Sequence, residues 1–183
     1  MRKTNAILSA GIVVLLLVHM IAGGMQMAGF LSGGLRWLTC LSWIMLAMIA
    51  LHSLIGIRLT ADTLRLQKKS GASFPKENCL FWARRISGFA LMAFVVCHLL
   101  LFLGTSQDGA FRLHLFAGAE LATQILLVLS LGVHILSNLS PMLIGLGIRC
   151  YRTFLPDVLA VLSVLLLTAG MAFVVYYIRW NVL

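Results

Sequence analysis

Five times along this chain an apolar run of about 20 residues recurs, long enough for a helix to cross a hydrocarbon core about 30 Å thick. The runs cover approximately residues 6–27, 37–57, 86–104, 118–140 and 156–178. Inside lipid every backbone N–H and C=O must be satisfied within the protein, which leaves helices and closed barrels. A barrel strand alternates apolar and polar residues, and these runs do not. The expected fold is therefore all-α, a single integral membrane domain over residues 1–183 with five transmembrane helices. Hydrophobic residues make up 61% of the chain and charged residues 10%, too little polar surface for a soluble domain of this size. The basic start, Arg2-Lys3, also suits a signal peptide. The first run nevertheless continues to about Phe30, and it is read as a retained span.

The net charge of +9 would suit nucleic acid, but the charges sit at the ends of the apolar runs and read as topology signals, so no nucleic-acid partner is expected. Arg2, Lys3, Arg58, Arg65, Lys68, Lys69, Lys76, Arg84, Arg85, Arg149 and Arg152 fall on one side, and only Arg36, Arg112 and Arg179 on the other. The positive-inside rule then places the N-terminus in the cytoplasm and the C-terminus outside. Trp37, Trp82, Tyr176, Tyr177 and Trp180 lie near span ends, where interfacial aromatics belong, and Pro75, Pro141 and Pro156 fall in or beside the cytoplasmic connections. The basic 59–85 connection is the largest cytoplasmic surface for a soluble partner. Cys40, Cys79, Cys97 and Cys150 show no paired spacing and read as isolated residues rather than a disulfide framework or a metal motif.

The first four spans contain an internal repeat. Span 1 carries His19, and span 3, running the same way, carries His98. Span 2 carries His52 and ends in Leu54-Ile55-Gly56-Ile57-Arg58; span 4 carries His134, and its extension ends in Leu146-Gly147-Ile148-Arg149. The pseudo-repeat comprises residues 6–58 and 84–149, with 156–178 as an added fifth helix. At 1.5 Å rise per residue, His19 and His98 lie roughly 20 Å from the cytoplasmic edge and His52 and His134 roughly 10 Å from it. In an up-down bundle helices 1 and 3 are diagonal, as are 2 and 4. Two histidines at one depth on a diagonal face each other across the core, the geometry of haem held by one imidazole on each face. Two non-covalent b-type haems are therefore expected, since no Cys-x-x-Cys-His is present for covalent attachment. The alternative is that each His hydrogen-bonds a neighbouring helix. A single zinc site fails, because zinc needs all its ligands near 2 Å and the histidines lie at two levels.

These residues resemble the membrane cytochrome b subunit of the succinate dehydrogenase and fumarate reductase family, in its five-helix, two-haem form. Arg85-Ile86-Ser87-Gly88, followed by His98, is similar to that family's Arg-x-Ser-Gly…His helix, and His52-Ser53-Leu54-Ile55-Gly56-Ile57-Arg58 to its His-x-x-x-Gly-x-Arg element. The resemblance covers about residues 6–149. After His134 the chain reads Ile135-Leu136-Ser137-Asn138, which departs from the Gly-x-Arg pattern. The resemblance implies that His19 and His98 bind an outer haem and His52 and His134 an inner one. It also implies electron transfer between a membrane quinone, menaquinone by expectation, and a cytoplasmic iron–sulfur and flavoprotein pair, in a bacterial or archaeal cytoplasmic membrane. The membrane subunits of formate dehydrogenase, hydrogenase and nitrate reductase are alternatives, as is a haem-free scaffold or transporter.

The remaining polar residues are candidates for the rest of the site. Arg58, Arg84 and Arg85 cluster at cytoplasmic ends and suit haem propionates, because Arg binds carboxylate at two points; they also suit ordinary anchoring. On the outer side stand Gln26, Arg36, His114, Glu120 and Gln124. Glu120 is read as the one carboxylate close to a span interior and the candidate for proton exchange with a quinol, with Gln26 and Gln124 beside it. Ser87 marks an alternative quinone site at the cytoplasmic end.

Overall fold

The computed structural model describes residues 1–71, 78–103, 106–107, 110–111 and 113–181. Pro75, Lys76 and Arg112 lie outside the described residues. The chain forms helices α1 (Arg2–Met27), α2 (Arg36–Ser70), α3 (Cys79–Phe102), α4 (Gly118–Gly145) and α5 (Tyr151–Asn181). All five are long and apolar enough to cross a membrane, as in a multi-pass membrane protein. Between α3 and α4, Ser106–Gln107 and Ala110–Phe111 form a two-stranded antiparallel pair in which Ser106 faces Phe111 and Gln107 faces Ala110.

Several helices exceed the spans expected from hydropathy. The second expected span stopped at residue 57, yet α2 continues to Ser70 and is about 52 Å long at 1.5 Å per residue. Its last 13 residues hold Arg58, Asp62, Arg65, Lys68 and Lys69. Polar residues of good helix propensity extend a helix into water as readily as apolar ones do in lipid. The helix stops at Gly71, whose φ of 65° is the left-handed cap that glycine adopts without strain. Most of the expected 59–85 connection is therefore helical. Likewise α5 begins at Tyr151, ahead of Pro156, and encloses Asp157, so Glu120 is not the only carboxylate near a span. Asp157 is exposed.

Proline 141 was expected to end the fourth helix, but α4 runs through it to Gly145. A proline has no N–H to give the carbonyl four residues earlier, here Ser137. Arg84 of α3 supplies the missing donor, its Nε lying 2.9 Å from the Ser137 oxygen. Replacing Arg84 by Met leaves that carbonyl unpaired, and we expect a loss of about 1–3 kcal/mol in stability, read from unfolding in detergent micelles.

The helices pack as a bundle. Among the described residues α3 lies against α4, α4 against α1 and α5, and α1 against α2 and α5, while neither α1 with α3 nor α2 with α4 shares a packed interface. Among these residues no packed interface joins α2 with α3 either. Few side chains are buried, and large apolar residues such as Val14, Leu54, Leu100, Leu129 and Leu167 are exposed around the circumference. In water such a surface would drive association; in a bilayer it is the face toward lipid. The core has two apolar centres. One is Phe116, Phe173 and Tyr176 near one end, and the other is Leu139, Leu143 and Leu162 between α4 and α5.

Candidate functional site

The four histidines of helices α1–α4 meet in two pairs. The rings of His19 on α1 and His98 on α3 have centroids 6.1 Å apart and stand at 73° to one another. Those of His52 on α2 and His134 on α4 are 6.2 Å apart at 88°. The expected partners are thus brought together, although their helices do not otherwise pack.

Each ring is held from behind by a side chain of the adjacent helix. His19 Nδ1 lies 3.1 Å from Ser42 Oγ on α2, and His52 Nδ1 lies 3.3 Å from Ser9 Oγ on α1. In the second half His98 Nδ1 lies 2.7 Å from Gln124 Oε1 on α4, and His134 Nδ1 lies 3.3 Å from Ser87 Oγ on α3. The internal repeat therefore extends to the partners. Each helix carries a polar residue ten or eleven positions before its own histidine: Ser9 before His19, Ser42 before His52, Ser87 before His98, Gln124 before His134. Ten or eleven residues are about three helical turns, so the two groups share a face about 15 Å apart along the axis. Because the helices of each pair are antiparallel, the polar residue of one stands level with the histidine of the other.

What the neighbouring hydroxyls bond bears on which ring nitrogen carries the proton. A serine has one proton to donate. Ser9 gives it to the Asn5 carbonyl, Ser42 to Leu38 and Ser87 to Arg84, so toward histidine each can only accept. Gln124 is placed the same way. Its Nε2 donates to Thr123 Oγ1 at 3.0 Å, and its Oε1 faces His98. In that arrangement the four imidazoles donate from Nδ1, and among the described residues no side-chain hydrogen bond engages an Nε2. Histidines that bind metal are oriented in this manner, with the remote N–H donated to a fixed acceptor.

Space around the inner pair is set by Gly88. A Cβ there would lie 3.2 Å from His134 Cε1, so glycine is what allows the imidazole to stand against α3. Arg85, about one turn before Gly88 toward the start of α3, stacks its guanidinium 5.0 Å over the Phe81 ring. Among the described residues its buried Nε has no hydrogen-bond partner. At the other end aromatic rings close over the outer pair. Phe102 is 4.8 Å from His98, Phe173 is 6.4 Å from it, and Phe116, only 1% exposed, packs on Phe102, Phe173 and Tyr176.

The other expected site residues fall in different places. Glu120 accepts the Ala117 N–H at 2.7 Å, capping the start of α4, and pairs with His114 Nε2 at 3.0 Å. Gln124, expected beside Glu120 at a quinone, is fully buried at 0% exposure and committed to His98. Ser87, expected as an alternative quinone contact, is 6% exposed and committed to His134. Gln26 bonds the Ser32 carbonyl in the α1–α2 loop, and Arg58 is exposed on α2. Arg84 is spent on Ser137. Sequence reading missed Ser9, Ser42, Phe116 and Phe173; the ten-residue Ser-to-His interval was the available signal for the first two.

Among the described residues no group of three or more His, Cys, Asp or Glu side chains is arranged to hold a metal ion. No protein-family model, curated protein or solved structure matches the chain, so its functional reading rests on its own residues.

Proposed function

We propose that this chain is the membrane cytochrome b subunit of a quinone-linked oxidoreductase of succinate dehydrogenase or fumarate reductase type, holding two b haems. The observation that carries the reading is the pair of His–His separations, with each Nδ1 engaged by a polar side chain of the adjacent helix. Two imidazoles sharing one iron would each place a nitrogen about 2 Å from it and a ring centre about 1.1 Å farther back, which puts the ring centres at most about 6.2 Å apart. The two pairs stand at 6.1 and 6.2 Å. Two nitrogens alone are too few for a bare metal ion, and they suit an iron whose other ligands come from a macrocycle.

When bound, haem supplies one-electron transfer at each level. His19 and His98 would hold one group and His52 and His134 the other, with Ser42, Gln124, Ser9 and Ser87 fixing the four rings through their Nδ1 atoms. The orphaned Nε of Arg85 fits a propionate carboxylate beside the inner pair. The Phe102, Phe116, Phe173 and Tyr176 rings keep water from the outer pair. The distribution of Lys and Arg supports a cytoplasmic N-terminus. On that side the cationic end of α2, with Arg58, Arg65, Lys68 and Lys69, offers a rigid docking surface to an iron–sulfur partner. The Glu120–His114 pair, where α4 begins, can hold and pass a proton near a quinol.

If helix-to-helix bonding were the whole role of the histidines, one nitrogen of each would suffice and the rings need not come together in pairs. The deciding measurement is a pyridine haemochrome assay on purified protein. We expect two b haems per chain; a ratio near zero returns the histidines to that bonding role, and a ratio of one excludes the second site.

A further inference from the structure

The two histidine pairs are not held alike. Three of the four imidazoles lean on serine hydroxyls at 3.1–3.3 Å. His98 alone donates to an amide carbonyl, at 2.7 Å, from a side chain with 0% exposure. The carbonyl is the end of a chain of donors. The Thr123 hydroxyl donates to the Glu120 carbonyl at 2.7 Å and accepts the Gln124 amide N–H at 3.0 Å, which fixes the amide so that its oxygen can only face His98. Bonds linked in this way polarise one another. A stronger acceptor on Nδ1–H makes Nε2 a better electron donor to a metal, which favours the oxidised state.

We propose that Gln124 is a positioning residue that makes the two haem sites electronically unequal, lowering the reduction potential of the haem held by His19 and His98 through the Nδ1–H of His98. The proposal rests on the haem reading given above. It also gives a completely buried polar side chain a role that packing alone does not require, since Leu or Met would fill the same volume without a polar group to satisfy.

The test is a redox titration of the purified haem-loaded protein, with each haem followed by its α-band and its ferric low-spin resonance. In Gln124→Met, which keeps the volume and removes the acceptor, the midpoint of one haem should rise while the other stays in place. Ser87→Ala should move the other haem instead, and by less. An unchanged pair of midpoints in Gln124→Met, or an equal shift of both, overturns the proposal. If Gln124→Met does not retain the outer haem, Gln124→Glu replaces the acceptor by a stronger one, and the same midpoint should fall. An unchanged or raised midpoint there, or loss of that haem from both variants, makes Gln124 a structural support only and overturns the tuning. Wild-type protein that binds no haem fails at an earlier step, overturning the functional reading together with this one.

Discussion

Replacing His19 by alanine is expected to halve the haem content, and to remove the same haem that His98→Ala removes. The rings stand 6.1 Å apart as the two ends of one site, so either loss leaves a single axial nitrogen. His52→Ala and His134→Ala should both remove the other haem. The double variant His19→Ala/His98→Ala should lose no more than either single change. Difference spectra identify which haem remains, and the haem-to-protein ratio counts it. Single variants within one pair that lose different haems would break the pairing. Unchanged haem in all four would show that the imidazoles only bridge helices, a role worth about 0.6–2 kcal/mol each.

Substituting Gly88 by Val should abolish the inner haem and leave the outer one bound. The Cβ alone would press to 3.2 Å from His134 Cε1, and the branched methyl groups add more bulk where the imidazole stands. The ring must then swing off the line toward His52, and its bond from Nδ1 to Ser87 breaks with it. Valine has better helix propensity than glycine, so α3 itself should not suffer. Far-ultraviolet circular dichroism should therefore stay the same while one α-band disappears. Gly23→Ala is the control, because nothing lies within 4 Å of that position and both haems should remain. Loss of both haems in Gly88→Val, or loss of neither, would contradict the close-packing argument.

The hydropathy of the sequence by itself determined that five helices are long and apolar enough to cross a membrane, because an apolar run of that length has one stable form in lipid. Counting residues from the charged ends also determined that His19 shares a depth with His98 and His52 with His134, because an α-helix has a fixed rise. Depth was therefore legible without knowing how the helices turn. Where helices end was less legible. Hydropathy reports where lipid ends, and α2 continues as a helix in polar surroundings to Ser70, while α4 passes Pro141 because Arg84 on another helix satisfies the Ser137 carbonyl.

The partners of the histidines were decided only by the tertiary structure. Ser87 and Gln124 were visible as polar residues in apolar helices, but their chemistry depends on what they face. That depends on the rotation and lateral register of two helices packed side by side, which the rise along one axis does not fix. Packed together, Gln124 lies against His98, and Ser9 and Ser42, unremarkable as single serines, become the partners of His52 and His19. Glu120 likewise gained its role as a helix cap and partner of His114 only when the 113–117 segment folded over the start of α4.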